Sequence, residues 1–276
     1  MTDWNLPETY IYEGRSIRYG VMGDGSPFVI VHGTPWSSFN MRHLVKALSK
    51  DFKVHYHDLI GYGQSDMQPG DVSLGVQNQI LEALIDHWGL GNPPVIGHDF
   101  GGSTVLRTHL LNSCGFEKIV LIDPVALSPW GSPFFQHVRK HEAAFAGVPD
   151  YIHEAIVRAY INTAAFKPIA EDTMSMTVKP WMGSEGRSAF YRQIAQADSI
   201  YTDEVQSKYS QISQPVLILW GIEDTWIPLD RGKTLHEMIP GSQFHAIPDA
   251  GHLVIEEQPE LLVDKILPFL QNKQLT

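Results

Sequence analysis

Short unbroken runs of β-branched and other apolar residues alternate along most of this chain with segments whose apolar residues recur at helical spacing. No other feature restricts the fold as strongly, because strands joined by helical crossovers build a mainly parallel sheet covered on both faces. The runs at 28–31, 53–58, 94–97, 118–123, 215–220 and 243–247 read as strands, and 10–13 with 16–22 as an N-terminal hairpin. Between them, 39–48, 76–88, 104–111, 229–238 and 260–270 carry the helical period. The expectation is an α/β protein whose ligand site lies in the loops outside the carboxyl ends of the strands. A chain of 276 residues can bury such a core in one domain.

One stretch breaks the rhythm. Across 125–213 no strand of this kind occurs, and Ile152, Ala155, Ile156, Ala159, Tyr160 and Thr163 repeat at helical spacing. This reads as a helical cap inserted in a core formed by 1–124 and 214–276. Its aromatic residues suit a lid over an apolar pocket, and equally a small core of the insertion itself. Charge narrows the partners: Lys plus Arg at 20 against Asp plus Glu at 31 leaves a net −11, which repels polyanions, so no nucleic acid partner is expected. The start lacks a basic, apolar leader and no apolar run approaches the roughly eighteen residues of a membrane span, which points to a cytoplasmic protein with no membrane partner. Cys114 is alone, and the histidines are scattered. His55 and His57 share one face of a strand without an evident third ligand, so no metal is expected.

The segment that carries chemistry is 94–102, a strand entering a helix through Gly97, Asp99 and Gly101. A residue displayed on a strained strand-to-helix turn needs small neighbours two before and two after it, since a Cβ there collides with the turn. Asp99 holds the displayed place, at a helix N-terminus that favours an anion. A mere helix cap would not need the flanking glycines.

With this elbow the chain resembles the α/β-hydrolase superfamily, in the branch with an aspartate nucleophile that includes haloalkane dehalogenases, haloacetate dehalogenases and soluble epoxide hydrolases. His32-Gly33-Thr34-Pro35 looks like the oxyanion-hole turn, and Asp58 with Gly61, Gly63 and Ser65 like the DxxGxGxS loop. Gly221, Asp224 and Pro228 match the acid turn, and Gly251-His252 the histidine loop. The resemblance implies the α/β-hydrolase fold with an inserted cap. It also implies a triad of Asp99 as nucleophile, His252 as base and Asp224 as acid, with the backbone N–H groups of Thr34 and Phe100 as oxyanion hole. Asp123, at the end of the preceding strand, is the alternative acid. Such an enzyme needs no cofactor and takes a small, largely apolar substrate with water as co-substrate, as a monomer or homodimer.

Aspartate attacking a carbonyl would give an anhydride, whereas attack on an sp³ carbon bearing a leaving group gives a plain alkyl ester that water can cleave. Haloalkane dehalogenase-like hydrolysis of a carbon–halogen bond is therefore expected first and epoxide hydrolysis second. An esterase or lactonase, or a non-catalytic ligand-binding scaffold, stands as a further alternative. Phe100 occupies the place where haloalkane dehalogenases carry a halide-binding Trp, and Thr34 the place where many carry Asn. A cap tryptophan, Trp130 or Trp181, is left as candidate halide donor. Phe100 and Ser103 fill the positions of the haloacetate-binding arginines, with Arg107 a turn further on. For an epoxide, cap tyrosines would protonate the opening oxygen, Tyr160 and Tyr191 among the candidates.

Overall fold

The computed structural model describes residues 4–112 and 114–272. Its frame is one eight-stranded sheet of β1 (Glu8–Tyr12), β2 (Arg15–Met22), β3 (Ser26–Val31), β4 (Phe52–His57), β5 (Val95–His98), β6 (Ile119–Ile122), β7 (Val216–Gly221) and β8 (Gln243–Ile247). The order across it is β1-β2-β4-β3-β5-β6-β7-β8. Only the β1–β2 and β2–β4 pairs are antiparallel, and every pair from β4 through β3 to β8 is parallel. The central strands are buried along their length because helices cover both faces, which is why they read as continuous apolar runs and not as alternation. The first hairpin turns at Glu13 and Gly14, both at positive φ.

Helices α1 (Arg42–Leu48), α2 (Leu74–His87) and α3 (Phe100–Leu111) follow β3, β4 and β5. Two starts differ from the periodicity. The segment from 39 opens as a 3-10 turn, Ser38–Met41, before α1. α3 begins four residues earlier than expected, because Gly101 and Gly102 interrupt the apolar pattern while serving packing. A Cβ on Gly101 would sit 2.2 Å from the Val31 carbonyl oxygen and one on Gly102 2.5 Å from Pro124. The glycines let α3 lie against the sheet, so the break in apolar period marks tight contact and not a loop.

Between β6 and β7 the chain forms α4 (Pro133–Lys140), α5 (Glu142–Ala146), α6 (Asp150–Asn162), α7 (Glu171–Val178), α8 (Gly183–Gln196) and α9 (Ile200–Gln206). Trp181, Phe190 and Tyr191 interlock edge to face as this insertion's own core, while Tyr151 and Phe166 are exposed. Buried hydrogen bonds tie it to the sheet: the Trp181 indole to the Pro35 carbonyl at 2.9 Å, and Asn40 Nδ2 to Thr177 Oγ1 at 2.8 Å. After β7 come α10 (Leu229–Met238), α11 (Val254–Glu257) and α12 (Pro259–Leu270). Among the described residues no helix is long and apolar enough to cross a membrane. His55 and His57 pack against Trp88, tilted and edge-on, their ring nitrogens without partners among the described residues, and burial lowers them to about 4 and about 3.

Candidate active site

The chain leaves β3 to build β4 on one side and later returns to build β5 on the other, so a crevice opens beyond the carboxyl ends of β3 and β5. Asp99 is the residue that β5 delivers there. Its backbone, at φ 53 and ψ −119, is one that L residues rarely adopt, at a cost of about 1–3 kcal/mol. The turn is tight enough that a Cβ on Gly97 would lie 2.5 Å from the Gly101 carbonyl oxygen. The Asp99 N–H donates to Ile122 O, and the Asp99 carbonyl accepts from Gly102 and Val125, which anchors the strained residue on three elements.

The Asp99 carboxylate meets a defined partner at each oxygen. Oδ1 accepts from the Thr34 backbone N–H at 2.6 Å, and Oδ2 lies 3.0 Å from His252 Nε2. Close approach of the two turns demands Gly33, where a Cβ would be 2.3 Å from Asp99 Oδ1. His252 Nδ1 is 2.8 Å from Asp224 Oδ2, and Asp224 Oδ1 accepts from the backbone N–H groups of Trp226 and Ile227, each at 2.8 Å. All three side chains are buried. Phe100, first residue of α3, has an N–H with no intrahelical partner.

Electrostatics sort the titratable groups. Burial lowers His252, but the Asp224 carboxylate and then Asp99 outweigh it, so the imidazole is raised well above its ordinary value and is held as the cation. His98 is lowered to about 4 by burial and by the neighbouring His252, and its Nε2–H donates to the His252 carbonyl. It stays neutral and positions the histidine loop. Asp123 does not reach His252. Its Oδ1 accepts from the Gly221 N–H, its Oδ2 has no partner, and burial followed by the charge of Asp224 raises it well above the usual carboxylate range. The alternative acid is thus held on Gly221, and Asp224 is the acid that faces the histidine.

A cavity of about 360 Å³ opens over Asp99, Thr34 and Phe100, with Trp130, Tyr160 and Trp226 on its walls. Of the two tyrosines expected from sequence, only Tyr160 reaches it. Its hydroxyl makes no hydrogen bond among the described residues, and burial, then the charge of Asp99 and Tyr62, raise its pKa so that it stays protonated. Tyr191 is buried inside the insertion with its hydroxyl on His153 Nδ1 at 3.0 Å. The expected halide donors are also committed elsewhere: Trp130 lines the cavity but donates to Thr202 Oγ1 at 3.0 Å, and Trp181 donates to Pro35. Arg107, within α3, does not line the cavity and bonds Asn78 and Glu204.

Three site residues escaped sequence reasoning. Trp226 stacks on His252 at 5.1 Å and on Tyr160 at 4.6 Å, and its place two residues after Asp224 was the available signal. Tyr62, between the glycines of its loop, and Thr34 both donate to Gln193 Oε1 of α8, at 3.0 and 2.7 Å. Nothing in the local sequence marks Gln193, because its role exists only where the insertion touches the oxyanion turn.

A strand-end aspartate, a histidine paired with an acid, and a turn of backbone donors are the arrangement of a hydrolase of the α/β type. The chain belongs to the alpha/beta hydrolase family, whose sequence model matches residues 28–265. An alpha/beta hydrolase fold protein from Burkholderia ambifaria is 44% identical, with a TM-score of 0.94 over 96% of this chain and 98% of its own. A cis-3-alkyl-4-alkyloxetan-2-one decarboxylase of Xanthomonas campestris is 26% identical over 97% of this chain and 93% of its own. The soluble epoxide hydrolase of a Corynebacterium is 25% identical over 93% of this chain and 94% of its own.

Proposed function

We propose that this hydrolase attacks carbon with Asp99 and passes through an ester, and that its substrate is a strained oxygen ring, an epoxide before a haloalkane. The observation that carries the preference is the protonated Tyr160 hydroxyl, unpartnered in the cavity, beside indoles whose N–H groups are already used. Asp99 Oδ2 forms a bond to a ring carbon as its carbon–oxygen bond breaks, and Tyr160 gives its proton to the departing oxygen. The Corynebacterium and Xanthomonas relatives are named for an epoxide and an oxetan-2-one, both strained oxygen rings.

Ester formation removes the charge of Asp99 and with it part of what keeps His252 protonated, so the imidazole gives up its proton, which makes up the one lost by Tyr160, and becomes a base for water. Water attacks Cγ of Asp99, the developing oxyanion on Oδ1 is held by the Thr34 and Phe100 N–H groups, and Oδ2 leaves with the diol. A single turnover in H₂¹⁸O tests this: the label should enter the Asp99 peptide and not the first diol released. Label in the diol alone would refute the ester. Running epoxides and matched bromoalkanes side by side orders the substrates, and turnover confined to the bromoalkanes would reverse our preference.

A further inference from the structure

Besides Asp99, the cavity is lined by one other charged side chain, Arg231 in the first turn of α10. Its Nη1 donates to the Ser128 carbonyl and its Nη2 to the Pro129 carbonyl, each at 3.1 Å. No carboxylate among the described residues pairs with it, whereas Arg42, Arg107, Arg139, Arg158 and Arg187 each meet one. Arg15, Arg18 and Arg192 are also held on neutral oxygens, but none of them lines the cavity. The path from Arg231 to Asp99 runs through Pro129, Trp130 and Phe100, the last two meeting edge to face at 5.5 Å.

We propose that Arg231 anchors a carboxylate at the end of the substrate remote from the carbon that Asp99 attacks, so that the substrate is an apolar molecule ending in a carboxylate. The placing of the reacting carbon rests on the reading above. The carbonyl bonds use only part of the five-donor guanidinium fork, whose planar geometry matches a carboxylate. The wall around it, including Val125, Leu127, Ile227 and Leu235, would cover an alkyl or aryl body. Like-charge repulsion from Asp99 disfavours a carboxylate beside the reacting carbon, and among the described residues Arg231 is the one arginine or lysine lining the cavity.

The test uses two inert probes of one shape, hexanoate and hexanamide, titrated against the whole protein by quenching of its tryptophan fluorescence. The wild type should bind hexanoate at least about tenfold more tightly, Arg231→Met should lose that preference, and Arg231→Lys should keep part of it. Each variant is its own control, since a change in stability alters both probes alike. If Arg231→Met does not fold, the lysine variant and the wild type carry the comparison, and an undiminished preference in Arg231→Lys is then counted against the fork. Equal binding by the wild type, binding of neither probe, or a preference surviving in Arg231→Met would each overturn the proposal. Neither probe reacts, so the isotope experiment can fail while this one succeeds, and the reverse.

Discussion

On the sheet side of the cavity, both oxygens of Asp99, both nitrogens of His252 and both oxygens of Asp224 have partners. On the helical side Tyr160 offers a hydroxyl that has none. The first wall is made of strand-end turns whose backbone N–H groups hold the carboxylates. The second is made of rings packed on rings, Trp226 on His252 and Tyr160 on Trp226. The difference separates the labour. Under the proposed function, reactivity comes from a prepaid, hydrogen-bonded frame that needs no reorganisation. Choice of leaving group then falls to side chains whose direction packing alone sets.

That contrast can be attacked from either wall. The largest expected effect is Asp99→Asn, which keeps an oxygen for the Thr34 N–H yet removes the nucleophile, and should lower kcat/KM by at least about 10⁴-fold. Thermal melting should show the fold retained, and a remaining rate above about one hundredth of wild type would break the assignment. Next comes the pair of acids. Asp224→Asn should cost about 10⁴-fold by losing the charge that orients and holds His252, whereas Asp123→Asn should cost less than about tenfold. The Asp123 side chain bonds only the Gly221 N–H among the described residues, and an amide oxygen can accept from it as well.

On the other wall, Tyr160→Phe should slow ring opening by about 10²-fold while leaving breakdown of the ester unchanged, measured by rapid-quench mass spectrometry. Tyr191→Phe should leave rates alone and cost about 1 kcal/mol of stability through its lost bond to His153. Equal effects of the two tyrosines on rate would erase the distinction between the walls. The smallest effect is in pH. The folded-state pKa of His252 is raised, so the stability it contributes is complete below the unfolded imidazole value of about 6.5 and is lost as pH rises through the folded value. Wild-type melting should therefore decline on the alkaline side, and His252→Gln should flatten that decline.

Much of this was legible in the chain itself. The apolar runs placed the central strands, since burial on both faces leaves no polar alternation to obscure them. The elbow was visible because backbone crowding at Gly97 and Gly101 tolerates no side chain. The start of α3 was hidden for the same reason, because the glycines that admit close packing also erase the helical period. Trp130 and Trp181 look alike in sequence as free indole donors, and only coordinates show both N–H groups already engaged.

By itself the sequence determined the α/β order, the displayed Asp99 and the loops at its side, because those follow from local backbone requirements and from burial pattern. Tertiary structure decided which acid faces His252, which tyrosine lines the cavity, that Arg231 lines it too, and that Gln193 meets Thr34. Those outcomes depend on the direction of side chains brought together from distant positions, as Thr34 and Gln193 are across 159 positions. Direction is set by what packs around a side chain, and no local spacing records it.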